Sequence, residues 1–169
     1  ENRDMDAFGN FGTVIVTTQG GGQTFKQTTT STYDNDNWHL GRLRKSSVKH
    51  QGYDQTQTRV ARFAYTDQGL LKQEVVQPDD ALQLTTNYSY DAFGNGKTTT
   101  VSGAGLTGRT STTVYDAKAK FPKTVTNALG HIETHTYNAQ FGQLATLVGP
   151  NKLATHWDYD SFGRKQQER

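Results

Sequence analysis

The stretch YDAFGN at residues 90–95 returns as YDSFGR at residues 159–164 and as MDAFGN at residues 5–10. Looser copies begin at four further tyrosines: Tyr33, Tyr65, Tyr115 and Tyr137. The seven copies start 28, 32, 25, 25, 22 and 22 residues apart along the chain. Such self-similarity is the signature of a repeat architecture, in which each copy marks one structural unit.

Each period reads as two strands joined by a turn. The residues before the tyrosine alternate in polarity, as at residues 84–90 and 153–159, and are rich in Thr and aromatic residues, which predicts a strand. Asp at the first turn position and Gly at the fourth are typical of a type I turn, because Asp bonds back to the turn backbone and Gly tolerates positive φ. A second strand follows, as at residues 143–148.

On this interpretation the motif is architectural, since a reactive site has no reason to recur in every period. The aromatic residues are expected to fill the inside of each hairpin unit, with Tyr90, Tyr137 and Tyr159 buried and Phe93 and Phe162 beside them. The residues assigned to the structural motif are Tyr33, Asp34, Tyr65, Gly69, Tyr90, Asp91, Phe93, Gly94, Tyr115, Asp116, Tyr137, Gly142, Tyr159, Asp160, Phe162 and Gly163.

Composition favours an all-β chain with polar faces. Hydrophobic residues make up 32% of the sequence and the mean hydropathy is −0.81, while Thr occurs 26 times. Eight Tyr, eight Phe and two Trp, with a net charge of +2, set the chain apart from disordered sequences, which lack aromatic residues and carry high net charge. We therefore predict antiparallel β-hairpin repeats that form a curved open sheet, with no helix longer than about two turns.

Charge and residue content also exclude classes of function. The 18 basic and 16 acidic residues give no field that would draw nucleic acid. The absence of Cys excludes disulfides and thiolate metal sites. No apolar run reaches membrane-spanning length, so we expect no membrane insertion.

At the motif residues the sequence resembles the YD-repeat family, also called Rhs repeats, which includes Rhs proteins, shell-forming subunits of bacterial toxin complexes, and teneurins. YDAFGN, YDSFGR and TYNAQFGQL are close to the family consensus. NALGHIETHTYN at residues 127–138 is similar to its longer form, and WHLGRL at residues 38–43 to a phrase of bacterial members. The resemblance covers nearly all of residues 1–169.

The resemblance implies a long β-sheet that spirals into a hollow shell, which in toxin members encloses a C-terminal toxic domain. It further implies a secreted or cell-surface protein, and the similarity of WHLGRL to bacterial members implies a bacterial one. The partners would be the remaining repeats and the enclosed domain. Two copies depart from the pattern: Tyr115-Asp116 runs into AKAKFPK without glycine, and Tyr33-Asp34 into NDNWHLG. The self-cleaving segment of toxin members has no match here.

Three segments imitate ligand-binding motifs. The stretch GAGLTG at residues 103–108 fits the dinucleotide pattern, but a strand-like run follows it where a helix is required, so we expect a loose hairpin loop. His131 and His135, four apart on a predicted strand, would lie about 13 Å apart and could not share a zinc ion. His156, on a neighbouring strand, could pair with one of them, but satisfied or solvated side chains are the simpler interpretation. Residues 34–38 begin like a calcium loop but place Trp38 at a ligand position. We predict no cofactor, no metal and no catalytic centre.

Two functions remain. The first is a structural segment, cut from a larger protein, of a shell that encapsulates or presents a C-terminal domain. The alternative is an extracellular carbohydrate-binding or adhesion module, in which exposed aromatic side chains stack on sugars. About twelve to fourteen strands at about 4.8 Å each give a sheet about 60–65 Å across, too little to surround a domain, so the two end strands should favour edge-to-edge self-association.

Overall fold

Fourteen β-strands make up most of the chain. The computed structural model describes residues 1–52 and 54–169, without the side chain of Asn37. The strands are β1 Asn2–Met5, β2 Phe11–Gly20, β3 Gln23–Asp34, β4 Arg42–Gly52, β5 Gln55–Tyr65, β6 Leu71–Val76, β7 Leu84–Tyr90, β8 Gly96–Gly103, β9 Leu106–Tyr115, β10 Pro122–Thr126, β11 Ile132–Tyr137, β12 Leu144–Val148, β13 Ala154–Tyr159 and β14 Lys165–Glu168. The only helical element among the described residues is one 3-10 turn, Asp36–Trp38, so the prediction of an all-β chain is confirmed.

The order of the strands in the sheet is their order in the chain, from β1 to β14. The registered pairs are antiparallel hairpins, as the repeat predicted. Several carry a β-bulge beside the tyrosine at or next to the end of the first strand, such as Thr32/Tyr33 and Thr136/Tyr137. Among the described residues β1 and β14 do not pair with each other, so the sheet is open.

The chain divides into two compact units. The first comprises Glu1–Asn87 with Ser102–Thr107, and the second Tyr88–Val101 with Gly108–Arg169. The first unit contains the long hairpins of β2 to β5, whose strands have 10 to 12 residues. In the second unit β10 to β14 have only four to six residues.

The described residues contain no buried hydrophobic core. A single sheet leaves both faces in contact with solvent, and Thr on alternate positions suits such faces. The tyrosines Tyr90, Tyr137 and Tyr159 are half-buried rather than buried. The expectation that Phe93 and Phe162 pack beside them was wrong, since these side chains are 77% and 79% exposed. Each is the third residue of its turn, so its side chain projects beyond the ends of the strands.

The expectation of a loose loop around Gly105 was also wrong. Only Ala104 and Gly105 separate β8 from β9, so they form a tight hairpin turn. Gly105 has φ of +71°, close to the +86° of Gly94. Both glycines therefore occupy a backbone conformation that β-branched residues resist, so a substitution by Val should be strained at either position.

Candidate functional site: the motif turns

The turn that follows each of the seven motif positions, here called a motif turn, is organised by its first side chain, which is an aspartate in the most regular copies. In the turn at residues 91–95 the Asp91 amide donates to the Asn95 carbonyl (2.9 Å) and the Gly94 amide donates to the Asp91 carbonyl (3.1 Å). The carboxylate oxygen Oδ1 of Asp91 accepts from the amides of Phe93 (2.8 Å) and Asn95 (2.9 Å). The turns that begin at Asp6 and Asp160 repeat all four bonds. One side chain thus satisfies two amides that the tight turn leaves unpaired.

The residue after the turn glycine donates a hydrogen bond to the second carboxylate oxygen, Oδ2, of the turn aspartate. Asn10 and Asn95 donate from Nδ2 to the Oδ2 of Asp6 and Asp91, each at 2.9 Å, and Arg164 donates from Nε to Asp160 at 2.7 Å. These bonds stabilise the charged form. The side chain and amide of Asn10, in that order, lower the pKa of Asp6 to about 2. The Asn95 side chain lowers the pKa of Asp91, and the Arg164 amide lowers that of Asp160.

The same turn recurs where the sequence lacks the YD signature. Between β10 and β11 the Asn127 side chain accepts from the amides of Leu129 (2.9 Å) and His131 (3.1 Å), and Gly130 donates to the Asn127 carbonyl (3.0 Å). This turn lies at the opposite ends of the strands from the motif turns. The sequence analysis did not identify this turn as a copy of the motif turn. The signal was present in NALGH at residues 127–131, where Asn127 precedes Gly130 by three residues.

Neighbouring motif turns of the first unit contact each other. Asn35 donates from Nδ2 to Asp6 (3.1 Å) and accepts from the Gly41 amide (2.8 Å). A Cβ atom on Gly41 would lie 2.9 Å from Oδ1 of Asn10, and one on Gly69 would lie 2.7 Å from the ring of His39. The glycines therefore serve two purposes: they allow positive φ, and they leave room for a side chain of the preceding turn.

The second unit shows the same arrangement. Asn95 donates from Nδ2 to the Ala119 carbonyl (2.8 Å), and Gln143 donates from Nε2 to the Gly163 carbonyl (2.6 Å). A Cβ on Gly142 would lie 2.7 Å from Cζ of Phe121. A Cβ on Gly163 would lie 3.1 Å from the ring of Phe141, and Gly163 is a buried residue.

The motif tyrosines join neighbouring strands. The hydroxyls of Tyr33, Tyr65 and Tyr159 donate to the carbonyls of Phe11 (3.3 Å), Leu43 (3.0 Å) and Leu144 (2.8 Å), each at the start of the adjacent strand. Tyr137 instead stacks on Phe121, with ring centroids 4.7 Å apart. The hydroxyl bonds explain why Tyr33, Tyr65 and Tyr159 are tyrosine rather than phenylalanine. The motif turns and tyrosines together form a device for aligning successive hairpins.

The three segments that imitate ligand-binding motifs adopt strand and turn structure. Residues 103–108 are the end of β8, a turn and the start of β9. The carboxylate of Asp34 pairs with Arg42 (2.8 Å) and accepts from the Asp36 amide (3.0 Å), so it is already occupied. His131 lies in a turn and His135 in β11, while His156 bonds Thr146 across to β12 (3.1 Å).

Residues 1–52 and 54–169 contain no group of three side chains suited to holding a metal ion. Within the same residues there is no helix with the length and apolar character needed to cross a membrane.

The fold has relatives among solved structures. The crystal structure of TcdB2-TccC3 without its hypervariable C-terminal region superimposes with a TM-score of 0.65 at 14% identity, over 87% of this chain and 11% of that chain. Structures of TcdB2-TccC3 and of TcdB2-TccC3-Cdc42 each give a TM-score of 0.64 at 15% identity over the same shares. This chain thus spans about a tenth of the length of the structures it matches. No protein-family model and no curated protein sequence matches it.

Proposed function

We propose that the chain is a structural YD-repeat (Rhs-repeat) segment of a large secreted or surface protein. Its sheet would form part of a β-shell that encapsulates or presents a C-terminal, toxin-like domain. The partners of the segment are the flanking repeats and that domain, and its role is mechanical rather than catalytic.

The observation that carries the proposal is the contact between successive motif turns. A catalytic or binding residue is needed once, whereas Gly41, Gly69, Gly142 and Gly163 each receive a side chain from the preceding turn. Such repetition aligns one hairpin on the next and can continue for as long as the motif does. The likeness to much longer chains of the same fold supports a segment that works with further repeats.

The test uses the longer protein, with its flanking repeats and the domain that follows them. Protease is added and the half-life of that domain is compared with its half-life when free. We expect strong protection in the native protein and loss of protection in Gly142→Val/Gly163→Val. The control is Gly96→Ala, because a Cβ on Gly96 meets nothing within 4 Å. Equal half-lives of the free domain and the domain in the native protein would reject encapsulation.

The second candidate, a carbohydrate-binding module, is favoured by a different observation. Trp38, Phe93 and Phe162 are 92%, 77% and 79% exposed, and exposed aromatic faces suit stacking on sugar rings. An array of immobilised glycans tests it. Binding that Phe93→Ala and Phe162→Ala abolish without a change in stability would support this function over the shell.

A further inference from the structure

A groove of about 560 Å³ lies in the second unit, between the β9–β10 connection and β11. It is built by the copy that departs from the motif, AKAKFPK at residues 117–123. The turn from Asp116 to Phe121 is one residue longer than that from Asp91 to Asn95. The side chains that give the groove its chemistry are Lys118, Lys120, Phe121, Lys123, His135 and Tyr137.

The groove carries an excess of positive charge. Lys118, Lys120 and Lys123 are exposed, and none forms an ion pair with any described residue. The carboxylate in the lining belongs to Asp116, whose Oδ1 accepts from the amides of Lys120 (2.7 Å) and Phe121 (3.2 Å) and is therefore engaged in the turn. Glu133 lies nearby, with Oε2 3.8 Å from Nε2 of His135.

The floor of the groove is aromatic. Phe121 and Tyr137 stack at 4.7 Å with an angle of 22° between their planes, and His135 meets Tyr137 edge-on at 6.4 Å. All three rings are half-buried and line the groove. An aromatic lining with cations around it favours a ligand that has both an apolar ring and a negative charge.

We propose that this groove binds a small anion whose carboxylate or phosphate group is attached to an apolar ring. The ring lies on the Phe121–Tyr137 floor, and the acid group faces the ammonium groups of Lys118, Lys120 and Lys123. Charge-assisted hydrogen bonds to these lysines hold the acid group. Because the lysines are exposed, binding weakens as the salt concentration rises.

The test is a titration of the full chain with phenyl phosphate and with benzoate, followed by calorimetry and by the chemical shifts of His135. Inorganic phosphate and acetate serve as probes without a ring. We expect Lys118→Gln/Lys120→Gln/Lys123→Gln to weaken binding at least tenfold, and the three corresponding Lys→Arg changes to restore it to within about threefold. Circular dichroism checks that the variants fold.

The matched control is Lys45→Gln/Lys49→Gln/Lys72→Gln, which removes three exposed strand lysines elsewhere. Its affinity should stay within about twofold of the native value. Three results overturn the proposal: no binding of either ring-bearing probe, equal weakening in the control variant, or inorganic phosphate bound as tightly as phenyl phosphate, which would indicate an adventitious ion only.

Discussion

Ala119 takes a left-handed backbone conformation with φ of +52°, where the regular motif turns place glycine. Its amide donates to the Asp116 carbonyl (2.9 Å), the bond that glycine makes in the other turns. A non-glycine residue in this region costs about 1–2 kcal/mol. We expect Ala119→Gly to raise the free energy of unfolding by up to about 1 kcal/mol, less the entropy that glycine adds to the unfolded chain. Urea unfolding measures it, with Ala117→Gly as the control; a lower midpoint for Ala119→Gly than for the control would contradict the strain.

A comparison of Gly142 with Gly9 distinguishes the two roles of the motif glycine, which are to allow positive φ and to leave room for a neighbouring side chain. Both have positive φ, +68° and +87°, but a Cβ on Gly9 meets nothing within 4 Å, whereas one on Gly142 lies 2.7 Å from Phe121. Gly9→Ala should therefore lose about 1–2 kcal/mol from backbone strain alone. Gly142→Ala should lose a further 1–3 kcal/mol, roughly, because Phe121 must move off Tyr137. Equal losses in urea unfolding would show that the turn contacts contribute nothing.

Tyr159 tests the hydroxyl bonds between strands. Its hydroxyl donates to the Leu144 carbonyl at 2.8 Å, while the hydroxyl of Tyr137 has no hydrogen-bond partner among the described residues. We expect Tyr159→Phe to destabilise the chain by about 0.5–1.5 kcal/mol, and Tyr137→Phe to be nearly neutral. Thermal unfolding of both variants decides the matter, and an equal effect would remove the reason given for Tyr at this position.

At the scale of the turn, five carboxylates share a pH dependence. Hydrogen bonds lower the pKa of Asp6 (to about 2), Asp34, Asp91, Asp116 and Asp160 in the folded chain. An unfolded Asp has a pKa of about 3.9, so the unfolded chain takes up protons first as the pH falls. The stabilisation is complete above about pH 5 and is lost progressively as the pH falls towards 2.

We therefore expect the urea midpoint to fall between pH 5 and pH 2, and to fall less in Asp6→Asn/Asp91→Asn/Asp160→Asn. Asn is the matched replacement because Asn127 holds the same turn with an amide oxygen that does not titrate. A triple variant whose midpoint falls as steeply as that of the native chain would place the pH dependence elsewhere.

At the scale of the hairpin, the sequence predicted the positions of turns, because these depend on residues that are neighbours in the chain. Asp and Gly three residues apart have few conformations open to them, so the turns that follow β1, β7 and β13 could be located from the sequence alone. The contact of Phe121 with Gly142 could not be predicted, because it joins residues 21 positions apart that have no local relation. The exposure of Phe93 was misjudged for a similar reason: an apolar side chain at a turn position fits inside a hairpin or outside it equally well until the turn geometry is known.

For the whole molecule, the absence of a buried hydrophobic core among the described residues makes strand pairing the main source of cohesion. Sheets with two solvated faces gain little from apolar burial. Each added strand therefore stabilises its neighbour chiefly through backbone hydrogen bonds and turn contacts. Pairing of a further strand with an edge strand stabilises such a sheet. The open edges of β1 and β14 therefore bear directly on how the chain behaves in solution.

The hydrogen-bond registers of β1 and β14 identify the amides that face outward. Glu1 and Ile15 exchange both backbone bonds (2.6 and 2.7 Å), as do His156 and Arg169 (2.8 and 3.0 Å). In an antiparallel ladder the next residue along points its amide away from its partner strand. The amides of Asn2 and Glu168 are thus free to pair with another copy, which open edges favour.

We expect the chain to self-associate as its concentration rises, and Asn2→Pro/Glu168→Pro to weaken that association at least tenfold. Proline removes an outward amide without breaking a ladder bond at these positions. Asn2→Ala/Glu168→Ala is the control, since it deletes the same side chains, including the bond from Trp157 to Glu168, but keeps both amides. Sedimentation equilibrium over a hundredfold range of concentration measures the association. If the alanine and proline variants associate equally, or if the native chain stays monomeric throughout, strand pairing at the edges is not how this sheet grows.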